Sequence, residues 1–314
     1  MKMSAFRRYA ISTCVAAAML AGCGGSQPPI GASTEFAHQS SDKASGSFGD
    51  LIYAAGGCGG ACILAYPDGS LVGKANITGL VKGDCSDETG NVFITNDTQI
   101  LEYAHGGTSP VATLALPGDD ATGCAVDRTT GSLAVTFSGS DANIAIFPDA
   151  QGTPTLLSSH IISQYCGYDG AGNLFVSGYY NQEPQLSELP YSSSNFLVLS
   201  ISPTVGAEGQ VQWDGKYVTF EGRSSRKIKI SRLAISGSNA TVVGTTHFRG
   251  GLVTVYQSWI YGNRVLIPYS IRGQRTNKIG LWVYPKGGKP VTKFGNFGQG
   301  KFATFSGVTI SLAP

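Results

Sequence analysis

The stretch Cys166-Gly167-Tyr168-Asp169-Gly170-Ala171-Gly172-Asn173-Leu174-Phe175-Val176 carries the pattern that decides the fold: a short polar turn ends in glycine, and an apolar strand follows at once. The same phrase returns as Gly49-Asp50-Leu51-Ile52-Tyr53, Gly90-Asn91-Val92-Phe93-Ile94, Gly131-Ser132-Leu133-Ala134-Val135, Gly215-Lys216-Tyr217-Val218 and Gly262-Asn263-Arg264-Val265-Leu266. Its glycines stand 41, 41, 41, 43 and 47 residues apart. Short strands at that period, with no helical pattern between them, predict an all-β chain of β-propeller blades. At about 44 residues per blade, residues 49–312 accommodate six of them.

Each repeat reads as four strands, a to d. In the second, strand a falls near 83–87, b at 91–95, c at 100–103 and d at 111–116. Asp87, Asp127 and Asp169 sit where a carboxylate can accept bonds from the amides of the a–b turn, while the following glycine takes a positive φ. Asp214 holds the same place in a turn two residues shorter. The first repeat starts directly at strand b, and the C-terminus offers a spare strand, 307–311. Inserting it into blade one joins the chain ends and leaves no open edge. The 166–176 phrase resembles an NHL-type propeller repeat, and 87–94 and 127–135 look like diverged copies. That resemblance implies a fold and says little about activity.

At the N-terminus, Lys2, Arg7 and Arg8 precede an apolar run over 11–20, too short to span a bilayer but suited to a secretory signal core. It closes on Leu20-Ala21-Gly22-Cys23, which resembles the lipobox of bacterial lipoproteins. The resemblance implies cleavage before Cys23, lipidation of Cys23 and an extracytoplasmic, membrane-anchored product. Residues 1–22 are then a signal peptide, 23–48 a flexible tether rich in Gly, Ser, Gln and Ala, and 49–314 the propeller. In an oxidising compartment Cys58 and Cys62 can close a small disulfide ring. Cys124 and Cys166 occupy equivalent repeat positions and read as small residues buried between blades.

Charge divides the chain sharply. All 20 acidic residues lie at or before Glu221, and 14 of the 22 basic residues lie after it. Residues 222–314 therefore carry 14 cations and no carboxylate, whereas 23–221 carry five basic residues against 20 acidic ones, a net −15. On a ring this is a lateral dipole. Arg223, Arg226, Arg272 and Arg275 fall in b–c loops, and His247 and Arg249 in a d–a connection. In this architecture those loops share one face, bordered by Tyr179 and Tyr180. Guanidinium forks there suit carboxylate or phosphate, and the tyrosines suit a sugar ring. These eight residues are the candidate ligand site, and the expected partner is an anionic glycan, lipid or protein.

Asp84, Gln164, Tyr165, Gln210 and Gln257 open the inner strands and are expected at the channel mouth. They are mostly amides, better suited to binding than to acid–base work. The alternative is a hydrolase or lactonase acting at that mouth. However, the glutamate-bearing first strand of gluconolactonase-like propellers is replaced here by Asp50-Leu51-Ile52-Tyr53, and no Gly-x-Ser-x-Gly elbow occurs. No metal, cofactor or nucleic acid is expected.

Overall fold

The phrase read from sequence becomes the second strand of each repeat, and the reason is burial on both faces. In Leu51–Ala55, residues Leu51, Tyr53 and Ala55 pack with Ile63, Val92, Ile94 and Tyr103, while Ile52 and Ala54 pack with Leu266, Ile279 and Ile310. Leu133–Ser138 repeats this: Leu133 and Val135 join Phe93 and Phe147, and Ala134 joins Leu174 and Val176. A strand buried on both sides reads as a continuous apolar run rather than an alternation.

The computed structural model describes residues 48–138, 142–206, 209–224, 227–271, 278–295, 297 and 304–314. Its strands form a β-propeller-like ring of antiparallel sheets. The first sheet has the order Gly307–Ser311, Leu51–Ala55, Gly60–Ala65, Leu71–Asn76, so the C-terminal strand pairs with the first one, from Leu51↔Ser311 to Ala55↔Gly307. The second runs Val81–Ser86, Val92–Asn96, Gln99–Tyr103, Ala112–Ala115, and the third Asp119–Val126, Leu133–Ser138, Ile144–Phe147, Thr155–Leu157.

Six separate blades are not what the hydrogen bonds draw. Ile162–Tyr168, Leu174–Tyr180, Glu183–Leu189 and Leu197–Ser202 continue into Asn239–His247, Lys227–Ser236, Val218–Ser224 and Val211–Trp213, making one eight-stranded sheet. The junction is a parallel pairing of Ser200–Ser202 with Asn239–Thr241. In the last sheet Leu252–Val255 and Trp259–Tyr261 both pair with Arg264–Ile271, followed by Lys278–Val283 and Thr292–Phe294.

Side chains and one disulfide stitch the inner strands round the axis. Ser86 Oγ bonds Thr309 Oγ1 (2.8 Å) and the Ile310 carbonyl (2.7 Å). Cys85 and Cys124 form a disulfide between the second and third sheets. This corrects the reading of Cys124 as simply a small packed residue: its neighbour one repeat back is also cysteine, and the ring brings the two Cα atoms to 5.7 Å. Cys166, one repeat on, is a buried free thiol. Cys58 and Cys62 form a second disulfide. Across the remaining gaps, Gln210 Nε2 donates to the Cys166 carbonyl (3.3 Å), Gln212 pairs with the Ile260 backbone, and Gln257 bridges Gly307 in parallel.

The a–b turns form as their sequence dictates. Asp87 Oδ1 accepts from the amides of Thr89 (2.9 Å) and Asn91 (2.8 Å), and Asp169 Oδ1 from those of Ala171 and Asn173. Gly90 has φ 90°, and a β-carbon there would lie 2.2 Å from the Leu312 carbonyl oxygen, so only glycine fits.

Candidate functional site

The polar residues that open the inner strands are largely engaged in holding the ring together. Gln257 donates from Nε2 to the Asp84 carbonyl (2.7 Å) and accepts from the Asp84 amide (3.0 Å). It reaches across Gly307, which has no side chain to block it. Gln210 bonds the carbonyls of Cys166 and Val211, and Gln164 sits at a bulge with its carbonyl held by Thr136 Oγ1 (3.0 Å). Tyr165 is half-buried beside it. Gln257 is therefore a stitch through both ends of its amide and Gln210 through its Nε2 alone, its Oε1 having no hydrogen-bond partner among the described residues.

Asp84 stands out within it. The residue is fully buried, and neither carboxyl oxygen has a hydrogen-bond partner among the described residues. Burial pushes its pKa well above the ordinary carboxylate value; the amides of Ala55 and of Asp84 itself oppose this without forming good hydrogen bonds. A second buried acid, Glu221, accepts from Ser258 Oγ at 2.5 Å and leaves its other oxygen unpartnered. Burial, only partly offset by Ser258, raises it to about 8. No group of three or more His, Cys, Asp or Glu residues able to hold a metal ion occurs among the described residues.

Tyr179 and Tyr180 line a cavity of about 520 Å³ with His160, Asn181, Ile162 and Ser138 among its other walls. Asn143 builds one side. Its Nδ2 donates to the Ile161 carbonyl (2.6 Å), and its Oδ1 accepts from the Ser159 amide (2.9 Å) and hydroxyl (3.0 Å). That clamp holds His160 in the left-handed region (φ 61°), and Asn181 and Gln182 across the pocket are left-handed too (φ 50° and 67°). Asn181 and Gln182 are the central pair of the two-residue hairpin turn between Tyr180 and Glu183, which calls for positive φ at both, and of the two only Asn181 lines the cavity. Tyr180 is 57% exposed and Ile162 68% exposed.

Neither His247 nor Arg249 is among the walls of this cavity. Arg226, Arg272 and Arg275 lie outside the described residues, and of Arg223 only the backbone is described, paired with Ile228. His247 and Arg249 flank Phe248, which bridges Gly288, and the Arg249 amide donates to the Gly288 carbonyl (2.7 Å). They sit against the 284–291 turn, where Phe248 packs edge-on against Trp282. Cys23 lies outside the described residues.

Sequence reading missed a second cavity, at the opposite end of the same strands. There the a–b turns surround a mouth of about 310 Å³ lined by Trp213, Trp259, Tyr261, Arg128, Glu88 and Asp214 among others. Below it a chamber of about 40 Å³ shares Ser86, Arg128, Trp213 and Trp259 with the mouth and reaches Cys166 and Gln210. The signal was present: Trp213, Trp259 and Tyr261 directly precede the fifth and sixth turns.

No family model matches the chain, and no curated protein matches it. Solved structures do. The chain is similar to a chain in the crystal structure of a nidogen/laminin complex (TM-score 0.65, 16% identity, 84% of this chain and 99% of that one). It is also similar to a protein of unknown function from Bacteroides caccae (TM-score 0.61, 13% identity, 84% and 99%). A third likeness is to hydrazine synthase of Kuenenia stuttgartiensis (TM-score 0.51, 11% identity, 68% and 65%). At these identities the likeness establishes a β-propeller fold.

Proposed function

We propose that the chain is an extracytoplasmic, lipid-anchored β-propeller of six blades that acts as a binding module, with an acidic glycan as its ligand. Counting the eight-stranded sheet as two blades joined at their outer strands gives six. Support comes from the core of Phe175, Leu186, Val218, Phe220 and Leu233, which packs the two halves of that sheet against each other. The Leu20–Cys23 motif supports anchoring through Cys23, and the similar chain in the nidogen/laminin complex comes from a protein crystallised with a binding partner.

One observation carries the ligand reading: the Tyr179–Tyr180 cavity has aromatic and polar walls without a carboxylate, ammonium or guanidinium group, suited to a sugar ring. The acid-free sequence after Glu221, whose cations include Arg223, Arg226, Arg272 and Arg275, supports negative charge on the ligand. Binding to neutral and uronic-acid oligosaccharides at low and high salt tests both parts. Tyr180→Ala is expected to weaken both about tenfold, and Arg226→Glu with Arg272→Glu only the acidic one. Unchanged binding by Tyr180→Ala overturns the site, and salt-independent binding overturns the anionic ligand. For anchoring, Cys23→Ser is expected to lose fatty-acid labelling and membrane fractionation; a mutant that still labels overturns the lipid anchor.

A further inference from the structure

The mouth at the turn end combines three features that select for one kind of ligand. Trp213 and Trp259, both only partly buried, present indole rings to the mouth and to the chamber below it. Three carboxylates, Asp87, Glu88 and Asp214, face one guanidinium, Arg128, so the rim is formally −2. Its charged residues all come from the acidic part of the chain before Glu221, and the residues it draws from the basic part, Trp259–Gly262, Ile310 and Leu312, are uncharged. Finally, Gln210 lines the lower chamber, is 4% exposed and has a buried Oε1 with no hydrogen-bond donor, while its Nε2 is already bonded. An unsatisfied buried acceptor is expensive, so a site built round one calls for a ligand that donates.

The rim groups differ in their freedom to respond. Asp87 and Asp214 hold turn amides, and Asp214 Oδ2 also accepts from Tyr284 Oη at 2.6 Å. Glu88 is free to turn. It meets Arg128 Nε only at 3.6 Å, with the two side chains 59% and 60% exposed, a pairing that holds neither strongly. A cation entering the mouth can displace Arg128 from Glu88 with little loss.

We infer that this mouth binds a primary alkylammonium group, its methylenes and charge against Trp213 and Trp259, drawn in by the rim carboxylates, Glu88 foremost, with Gln210 in the chamber below as the acceptor that calls for an N–H donor. Positive charge over indole faces is attracted by the ring quadrupole, the carboxylates raise local cation concentration, and the acceptor below meets a donor that a neutral apolar ligand lacks. The site is separate from the tyrosine cavity and does not depend on the glycan reading.

Tryptophan fluorescence and calorimetric titrations with n-butylammonium, choline, 1-pentanol and N-acetyl-lysine amide, at constant ionic strength, test it. The expected result is saturable binding of n-butylammonium, tighter than choline, with 1-pentanol at least about tenfold weaker. N-acetyl-lysine amide binding as well as n-butylammonium assigns the source to a lysine side chain of a partner; its exclusion assigns a free amine. Glu88→Gln, on an exposed residue, is expected to weaken n-butylammonium about three- to tenfold while leaving oligosaccharide binding unchanged. Trp213→Leu should weaken it similarly. Equal binding of 1-pentanol, absence of saturation, or wild-type affinity in both variants overturns the inference.

Discussion

Gln257 lies across Gly307 and makes both hydrogen bonds of a strand ladder with Asp84, giving Nε2–H to the Asp84 carbonyl at 2.7 Å and taking the Asp84 amide at 3.0 Å. One side chain thus joins the last sheet to the second over the inner strand of the first. Its amide is buried, so losing it leaves two backbone groups unpaired at about 1–3 kcal/mol each. Gln257→Leu is expected to lower the midpoint of denaturant unfolding by an amount equivalent to about 2–4 kcal/mol. Gly307→Ala should also destabilise, because its β-carbon would lie 2.5 Å from Asp84 Oδ1. Two unchanged midpoints would remove the stitch as a stabilising element.

Ring closure makes a larger demand on the same strand. Gly307–Ser311 supplies Val308 and Ile310 to the core with Ile52, Leu266 and Ile279, and it fills the inner edge of the first sheet. Deleting residues 307–314 exposes the Leu51–Ala55 edge and opens a groove, and the expected loss is a large share of a total stability of about 5–15 kcal/mol. Thermal melting measures it. A truncated protein that melts with the full chain would mean that the ends are not joined in solution.

How much of this was legible depends on the range of the forces involved. The period, the aspartate-capped turns and the spare C-terminal strand are local features, and the structure shows Asp87, Asp169 and Gly307–Ser311 in those roles. The merging of two repeats into one sheet was not legible. It rests on a parallel pairing between Ser200–Ser202 and Asn239–Thr241, and polar outer-edge residues carry no signal for a partner that distant in sequence. The Cys85–Cys124 pair was hidden for the same reason. At the candidate sites, residue type misled: Gln257 looks like a ligand-facing amide, yet the backbone of the inner strands claims both of its ends. Trp213 and Trp259 were visible as residues but not as a pair, because only the ring places them on one mouth.

The Cys85–Cys124 disulfide closes a separation of 39 residues, which in the chain-entropy account contributes about 4 kcal/mol. Replacing both cysteines by alanine should therefore lower the melting temperature well beyond the effect of removing Cys58–Cys62, which spans only four residues. Cys166 serves as an internal control. It is buried, and burial pushes its thiol far above the usual range, so alkylation followed by peptide mapping should label it only after unfolding. Equal melting of the two double mutants, or labelling of Cys166 in the native protein, would contradict this arrangement.

Glu221 gives the stability of the fold a pH dependence whose sign is unusual for an acid. Its pKa rises from an ordinary 4.5 to about 8 on folding, chiefly through burial. Between those two values the native state keeps a proton that the unfolded chain has released, so stability falls as pH rises through the window. Below the lower value both states are protonated and nothing is lost; above the upper one the full penalty of burying the charge is present. Asp84 is shifted in the same direction and steepens the fall. The slope for one group is at most about 1.4 kcal/mol per pH unit. Denaturant unfolding at pH 5, 6, 7 and 8 should show the wild type progressively weaker. Glu221→Gln, which still offers Ser258 an acceptor, should flatten much of that trend and exceed the wild type at the alkaline end. Parallel profiles for wild type and mutant would show that Glu221 does not hold its proton in the folded ring.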